Sequence, residues 1–241
     1  NTEIGQNIIR RKVNGTVPLT IDKEAIRTLY LPKLGKVYQD KVAVLVDKSE
    51  TILKQSKNKY IQAENVLLET IGIKEFKPSS DPINVKNLKD SFLITGRLDA
   101  EYYQKKYEEV VKYITTQKFD KLSNIVNINK SIEPGSDVYS DEDGLPFYRV
   151  SDYNKFGLSQ PDKKLKEFFV TENKELIKKL KPKQGTILFS KDGSVGTAYL
   201  LRKDLDGITS GAILHLTVKD KKQIIPEYLT LALNSKLVQM Q

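Results

Sequence analysis

The chain has no cysteine and only one histidine, and these absences narrow its chemistry before any motif is read. Without cysteine there are no disulfides, no thiolate zinc sites and no cysteine nucleophile, a composition that fits a cytoplasmic protein. No apolar run reaches the roughly 18 residues that span a bilayer, and the first residues lack a signal-peptide pattern, so no membrane partner is expected. The chain starts at Asn1 without a methionine, as a segment of a longer product would. His215 lies between Leu214 and Leu216 in an apolar strand pattern, where a packed histidine is expected rather than a catalytic one.

Catalytic motifs are missing as well. The acidic run of Asp137, Asp141, Glu142 and Asp143 fails as a calcium loop, because the positions that need acidic ligands fall on Tyr139 and Val150. A solvated turn is the better reading. Residues 191–196, Lys-Asp-Gly-Ser-Val-Gly, lack the spacing of a phosphate-cradling Walker loop. Residues 81–84, Asp-Pro-Ile-Asn, lack the second proline, the aromatic residue and the glycine-rich loop of an amino-methyltransferase. No nucleophile stands beside a base or a metal cluster, so the chain is read as no enzyme. A nuclease using Asp141, Asp143 and Lys191 is the remote alternative.

What is present is positive charge. Forty Lys and Arg against 31 Asp and Glu give a net charge of +9, which favours a polyanionic partner where the excess gathers on one surface. It gathers twice: residues 163–183 hold eight Lys against three Glu, and Arg10, Arg11 and Lys12 form a shorter cluster. Membrane-surface binding would need an amphipathic basic helix, and the Phe168–Phe169 pair is too isolated to supply one.

Residues 36–71 run without a Gly or Pro, about ten helical turns and roughly 54 Å at 1.5 Å per residue. Apolar and small residues recur there at coiled-coil spacing through Tyr38, Val42, Leu45, Ser49, Ile52 and Ser56. The register then slips by one residue to Tyr60, Ala63 and Leu67, which reads as a stutter. Gly72 follows where a helix end favours left-handed backbone. Such a helix is a strut that needs a partner, expected through Tyr38, Val42, Leu45, Ile52, Tyr60 and Leu67. No other stretch of the chain is comparable, so the partner is a copy of the chain or a helix of another segment.

Around the strut, residues 8–13 read as an edge strand, Asn14 and Gly15 as a turn, and a short helix follows a cap at Thr20 or Asp22. Residues 1–35 are too few to hold a core and must dock on something else. Residues 74–90 read as a polar connector. A second body begins at Phe92, with a helix opened by Asp99 through residue 113. Strands are expected at 146–150, 186–190, 195–201 and 212–218, and a last helix at 226–233 with Pro226 in its first turn. The fold class is α+β, with short strands and long loops.

Residues 144–153, Gly-Leu-Pro-Phe-Tyr-Arg-Val-Ser-Asp-Tyr, resemble a strand of the target recognition domains of type I restriction-modification specificity subunits. So do residues 183–196, where Lys-Gln-Gly-Thr-Ile-Leu-Phe-Ser precedes Lys-Asp-Gly-Ser-Val-Gly, similar to the family's strand, glycine loop and strand. Residues 226–235, with Tyr228, Leu229 and the ending Leu233, Asn234 and Ser235, look like the helix that closes such a domain. Leu19, Thr20, Leu29, Leu31, Pro32, Gln39 and the long helix resemble the segment that finishes the domain and leads into the spacer helix.

The resemblance implies four parts: an end segment of a target recognition domain at 1–35, a coiled-coil spacer helix at 36–72, a connector at 73–91 and the main domain body at 92–241. The family order runs from the body to the end segment to the spacer, whereas here the last two come first. The chain is then either a permuted module or a segment cut from a two-domain subunit, and residues 1–35 complete this body or another one.

The resemblance further implies a non-catalytic subunit that reads a half-site on double-stranded DNA and docks methyltransferase (modification) and restriction subunits. It implies no cofactor in this chain, since S-adenosylmethionine, ATP and magnesium would belong to those partner subunits. Arg10, Arg11, Lys12, Lys163, Lys164 and Lys191 are the expected backbone contacts, and Asn14 and Ser194 the base or sugar contacts. A coiled-coil homodimeric interaction protein with an incidental basic surface is the alternative.

Overall fold

A computed structural model describes residues 3–15, 20–74 and 76–240, which divide into two compact units, 1–56 and 57–241. Leu19, one of the residues of the family resemblance, lies outside the described residues, as do Asn1 and Gln241.

In the first unit α1 (Glu3–Arg10) takes the first half of the stretch expected as an edge strand. The sequence spacing of Ile4 and Ile8 is helical, the run from 8 to 13 does not alternate, and Arg10 in the last turn complements the helix dipole. A bridge joins Asn14 to Thr20 through both backbone groups, at 2.7 and 2.9 Å. Then α2 (Lys23–Arg27) starts from Asp22, whose carboxylate accepts the Ala25 N–H at 2.6 Å, one of the two caps expected. No described residue of this unit is buried, and Ile26, Tyr30, Leu31 and Leu34 are exposed. These residues hold no core of their own, the physical basis for expecting them to dock elsewhere.

The long helix, α3 (Lys36–Thr70), has the expected bounds to within one residue. It closes in a Schellman turn: Ile73 N–H donates to Leu68 O at 2.9 Å and Gly72 N–H to Glu69 O at 3.0 Å, with Gly72 at φ +69°. Tyr113 adds a hydroxyl donated to Ile71 O at 3.1 Å, and its ring lies 5.0 Å from Phe76.

In the second unit α4 (Phe92–Thr95) and α5 (Lys105–Thr115) precede the sheets. The helix expected to open at Asp99 opens six residues later. Asp99 instead takes the Arg97 guanidinium at 2.6 and 2.8 Å, and Glu101 turns onto Lys106 and Tyr107, so local partners win over the cap.

After α6 (Leu122–Ile125) come β1 (Val126–Lys130), β2 (Tyr139–Ser140), β3 (Leu145–Tyr148), β4 (Tyr153–Asn154), β5 (Gly157–Leu158) and β6 (Lys164–Leu165). Two helices, α7 (Glu167–Glu172) and α8 (Lys174–Leu180), lead to β7 (Ile187–Ser190), β8 (Ala198–Leu200), β9 (Ile208–Thr209) and β10 (Ile213–Val218). The chain closes with α9 (Pro226–Asn234) and α10 (Lys236–Gln239). The four expected strands are present, in shortened form, as β3, β7, β8 and β10.

One sheet is antiparallel in the order β1-β10-β7-β8. Its two faces follow the period of two. Ile187, Leu216 and Val218 pack with Val126, Leu229 and Leu233 beneath α9, whereas Leu188 and Ile213 pack with Tyr148 and Tyr153. A second sheet, β2-β6-β3-β9, pairs β3 with β9 in parallel and centres on the fully buried Phe147, Leu165 and Ile208, backed by Ile177 of α8. A hairpin of β4 and β5 completes the strands.

His215 is a packed residue, as expected. It is buried in β10, its Nε2 shares a 2.8 Å hydrogen bond with Thr209 Oγ1, and burial pushes its pKa down to about 4. Below the ordinary histidine pKa of 6.5 the unfolded chain takes up a proton that the folded chain refuses until about pH 4. Stability held above pH 6.5 is therefore lost as pH falls through that window, by roughly 3 kcal/mol. Urea unfolding at pH 7.5 and pH 4.5 checks this: His215→Gln should remove most of the difference, and an unchanged difference would refute it.

Candidate nucleic-acid interface

The parallel pairing of β3 and β9 brings their C-terminal ends together, and backbone hydrogen bonds gather two further loops there. Ser210 N–H donates to Tyr148 O at 2.8 Å, Lys191 N–H donates to Ala212 O at 2.9 Å, and Ile132 bridges Ser210. Glu133 holds the cluster from one side: one carboxylate oxygen accepts Gly211 N–H at 3.0 Å and the other accepts the Tyr139 hydroxyl at 3.1 Å. Residues 131–133, 149–152, 191–196 and 210–212 thus form one rim on a rigid scaffold, the usual setting for recognition side chains.

The glycine loop 191–196 is fixed from below. Ser190 Oγ accepts Thr197 N–H at 2.9 Å and donates to the Ser194 carbonyl, while Gln239 Nε2 donates to Gly196 O at 2.8 Å. Asn234 grips the neighbouring edge strand with its amide, accepting Ala198 N–H at 3.0 Å and donating to Ala198 O at 2.8 Å. The Leu-Asn-Ser ending of α9 therefore ties the closing helix to β8 beside the loop.

Of the eight residues expected to touch DNA, Lys191 and Ser194 lie in this loop. Ser194 is exposed, and Lys191 Nζ rests 2.5 Å from Asp192. Lys163 and Lys164 stand at the start of β6, where Lys163 O accepts Phe147 N–H at 3.0 Å. Their ammonium groups turn onto the 141–144 crossing, Lys163 to Asp141 and Lys164 to Glu142 O, each at 2.5 Å. The acidic run is thus a turn that balances these lysines. Farther along the basic stretch, Lys181 pairs with Asp206 at 2.9 Å and Lys183 with Asp204 at 3.0 Å. Such exposed pairs are worth little and exchange readily for phosphate. Arg10, Arg11, Lys12 and Asn14 belong to the first unit, at and just after the end of α1, and Lys12 donates to Thr28 Oγ1 at 2.7 Å. Lys130 at the end of β1 and Arg149 after β3 also reach this rim or its edge, and neither stands in a charge cluster that would mark it in the sequence. The signal available was an arginine directly following the aromatic pair Phe147 and Tyr148.

The expected helix seam divides in two. Tyr38, Val42, Leu45 and Ile52 are 54–68% exposed, as an unpaired seam is. Tyr60 and Leu67 are covered by the body of the second unit instead, which corrects their assignment to a partner helix. Leu67 is 6% exposed, and the Tyr60 ring lies edge-on to Phe156 at 5.2 Å under the Lys155 ammonium at 4.7 Å. With Ala63 they line an apolar groove of about 710 Å³ against Tyr199, Ile225 and Tyr228. The cause is the stutter after Ser56: the slip turns the stripe about the helix axis toward a different neighbour. Burial and the Glu64 charge raise the Tyr60 pKa.

Among the described residues no group of His, Cys, Asp and Glu is placed to hold a metal, and no helix is long and apolar enough to cross a membrane.

Residues 114–241 match the family described as type I restriction modification DNA specificity domain, more than half of the chain. The chain is also similar to the crystal structure of the HsdS subunit from Thermoanaerobacter tengcongensis, with 14% identity, a TM-score of 0.41 and coverage of 97% of this chain and 51% of that one. For the type I restriction-modification S subunit from M. genitalium the values are 15% identity, a TM-score of 0.36, and 98% and 51% coverage. A structure described as showing complex assembly and conformational transition of the type I R-M system gives 15%, 0.37, and 96% and 50%. The chain spans about half the length of these structures. No curated protein sequence matches.

Proposed function

The chain belongs to the family of type I restriction modification DNA specificity domains, and from that premise we propose that its second unit reads one half-site on double-stranded DNA without catalysing a reaction. The observation that carries the reading is the rim: four loops knitted together at one end of two sheets, with Lys191 and Ser194 in the glycine loop and Lys130 and Lys163 beside them. The lysines supply salt-dependent contacts to phosphates, and the loop side chains reach for base edges. Arg10, Arg11, Lys12 and Asn14 would extend the contact from whichever body the first unit completes.

The exposed seam of Tyr38, Val42, Leu45 and Ile52 takes an equivalent spacer helix, from a second copy or another segment, and so sets the distance between two half-sites. Modification and restriction subunits dock on the assembled pair and bring their own cofactors.

Duplex binding over a salt series tests this. Three phosphate contacts predict that log K falls against log salt with a slope of about −3. Binding that is absent at low salt, or flat across the series, would leave the coiled-coil interaction protein as the better account.

A further inference from the structure

Arg149 is the arginine of the rim loops. Its side chain is 37% exposed overall, yet its Nε is shielded from solvent and has no hydrogen-bond partner among the described residues. Asp152 pairs its charge with Arg149, but neither nearby carboxylate hydrogen-bonds to the guanidinium. Asp152 accepts the Arg149 backbone N–H at 2.7 Å and the Ser151 hydroxyl at 3.3 Å, and lies 3.9 Å from Nε, beyond hydrogen-bond reach. Both oxygens of Glu133 are used by Gly211 and Tyr139. The two Nη groups make no hydrogen bond among the described residues and are not buried, so the outer face of the guanidinium is open. The next residue, Val150, abuts Gly193, where a Cβ would sit 3.9 Å from Val150 Cγ1, so the loop that carries Arg149 borders the glycine loop.

With Nε walled off, an acceptor from outside can meet only the two Nη groups, and the packing around Nε limits how the guanidinium plane can turn. That limit decides which acceptor. Lys130, Lys163 and Lys191 are flexible point charges that can follow a phosphate, whereas a guanidinium held at Nε presents its fork in one direction and loses little freedom on binding. That geometry matches a planar pair of acceptors held rigidly in a groove, and in the major groove guanine offers such a pair in O6 and N7.

Resting on the half-site reading, we propose that Arg149 is a specificity-determining residue that reads a guanine edge, and that the lysines around it supply the phosphate contacts. The test is selection of duplexes from a randomised pool by the full chain and by Arg149→Lys, with thermal unfolding of both recorded. The chain should enrich a motif with at least one fixed guanine. Arg149→Lys keeps the charge and should bind random duplex within about threefold, while discrimination at that guanine falls roughly tenfold to a hundredfold. A second readout needs no variant: 7-deazaguanine, which lacks N7, should weaken binding by the unaltered chain at that position and at no other guanine that only touches phosphate.

The motif persisting unchanged in Arg149→Lys, together with tolerance of 7-deazaguanine, would overturn the assignment while leaving half-site reading intact. So would a loss in Arg149→Ala that is equal for every duplex and lowers the salt slope by about one, the signature of a phosphate contact. Enrichment of no motif by the unaltered chain would remove half-site reading itself, and this assignment with it.

Discussion

Leu67→Asp should lower the stability of the second unit by roughly 3–5 kcal/mol, while Leu45→Asp and Ile52→Asp should leave it within about 0.5 kcal/mol. All three belong to one apolar stripe of α3. They differ in what covers them. Leu67 is 6% exposed against the body, so a carboxylate there would be taken out of water among apolar side chains. Leu45 and Ile52 are 68% and 54% exposed, so a charge there stays in water and acts only when another helix arrives. Urea unfolding followed by tyrosine fluorescence suits a chain with 12 Tyr and no Trp, and sedimentation velocity reads association. Equal destabilisation by all three variants would contradict the division of the stripe at Ser56. Unchanged association in both Leu45→Asp and Ile52→Asp would remove the partner helix from the account.

Gly144→Ala should cost about 3 kcal/mol or more, because two independent demands meet at that residue. Gly144 has φ +136°, a region that L side chains rarely adopt, and a Cβ there would overlap the Leu165 carbonyl. The overlap follows from topology. Strands β2 and β3 flank β6 and run in the same direction, so the 141–144 link must cross over β6 to join them. Gly144 lies where that crossing is closest. Losing it would push the crossing off Lys163 and Lys164 and open the sheet around Phe147. A midpoint in urea within experimental error of the parent would show that the crossing yields without strain, contrary to this reading.

The legible parts of the sequence were those with a long or repeated pattern. The strut, its Gly72 end, four strands and the Pro226 helix all stand within a few residues of expectation, because a sustained period leaves little choice. Strands of two residues, such as β2, β6 and β9, carry no period and gain their pairing only from the sheet they join. The helices α7 and α8 are hidden in a lysine-rich run, where charge obscures the single buried anchor Ile177. Asp99 reads as a cap until Arg97 is placed beside it, and α1 reads as a strand because two adjacent isoleucines suit either element. At the interface, charge pointed to Lys163 and Lys164 but could not show that they turn onto the 141–144 crossing. The shielding of the Arg149 Nε is a property of what surrounds it, visible only in three dimensions. Tyr60 and Leu67 show the same limit, since the slip after Ser56 signals a change of neighbour without saying that the neighbour is the chain's own body.

Hydrogen exchange of the full chain with and without a bound duplex tests the central claim most directly. Amide protection should rise in residues 131–133, 149–152, 191–196 and 210–212, the four loops of the rim, and should leave 42–52 of the strut unchanged. A duplex that binds while these loops exchange as fast as before would place the DNA elsewhere and contradict the account.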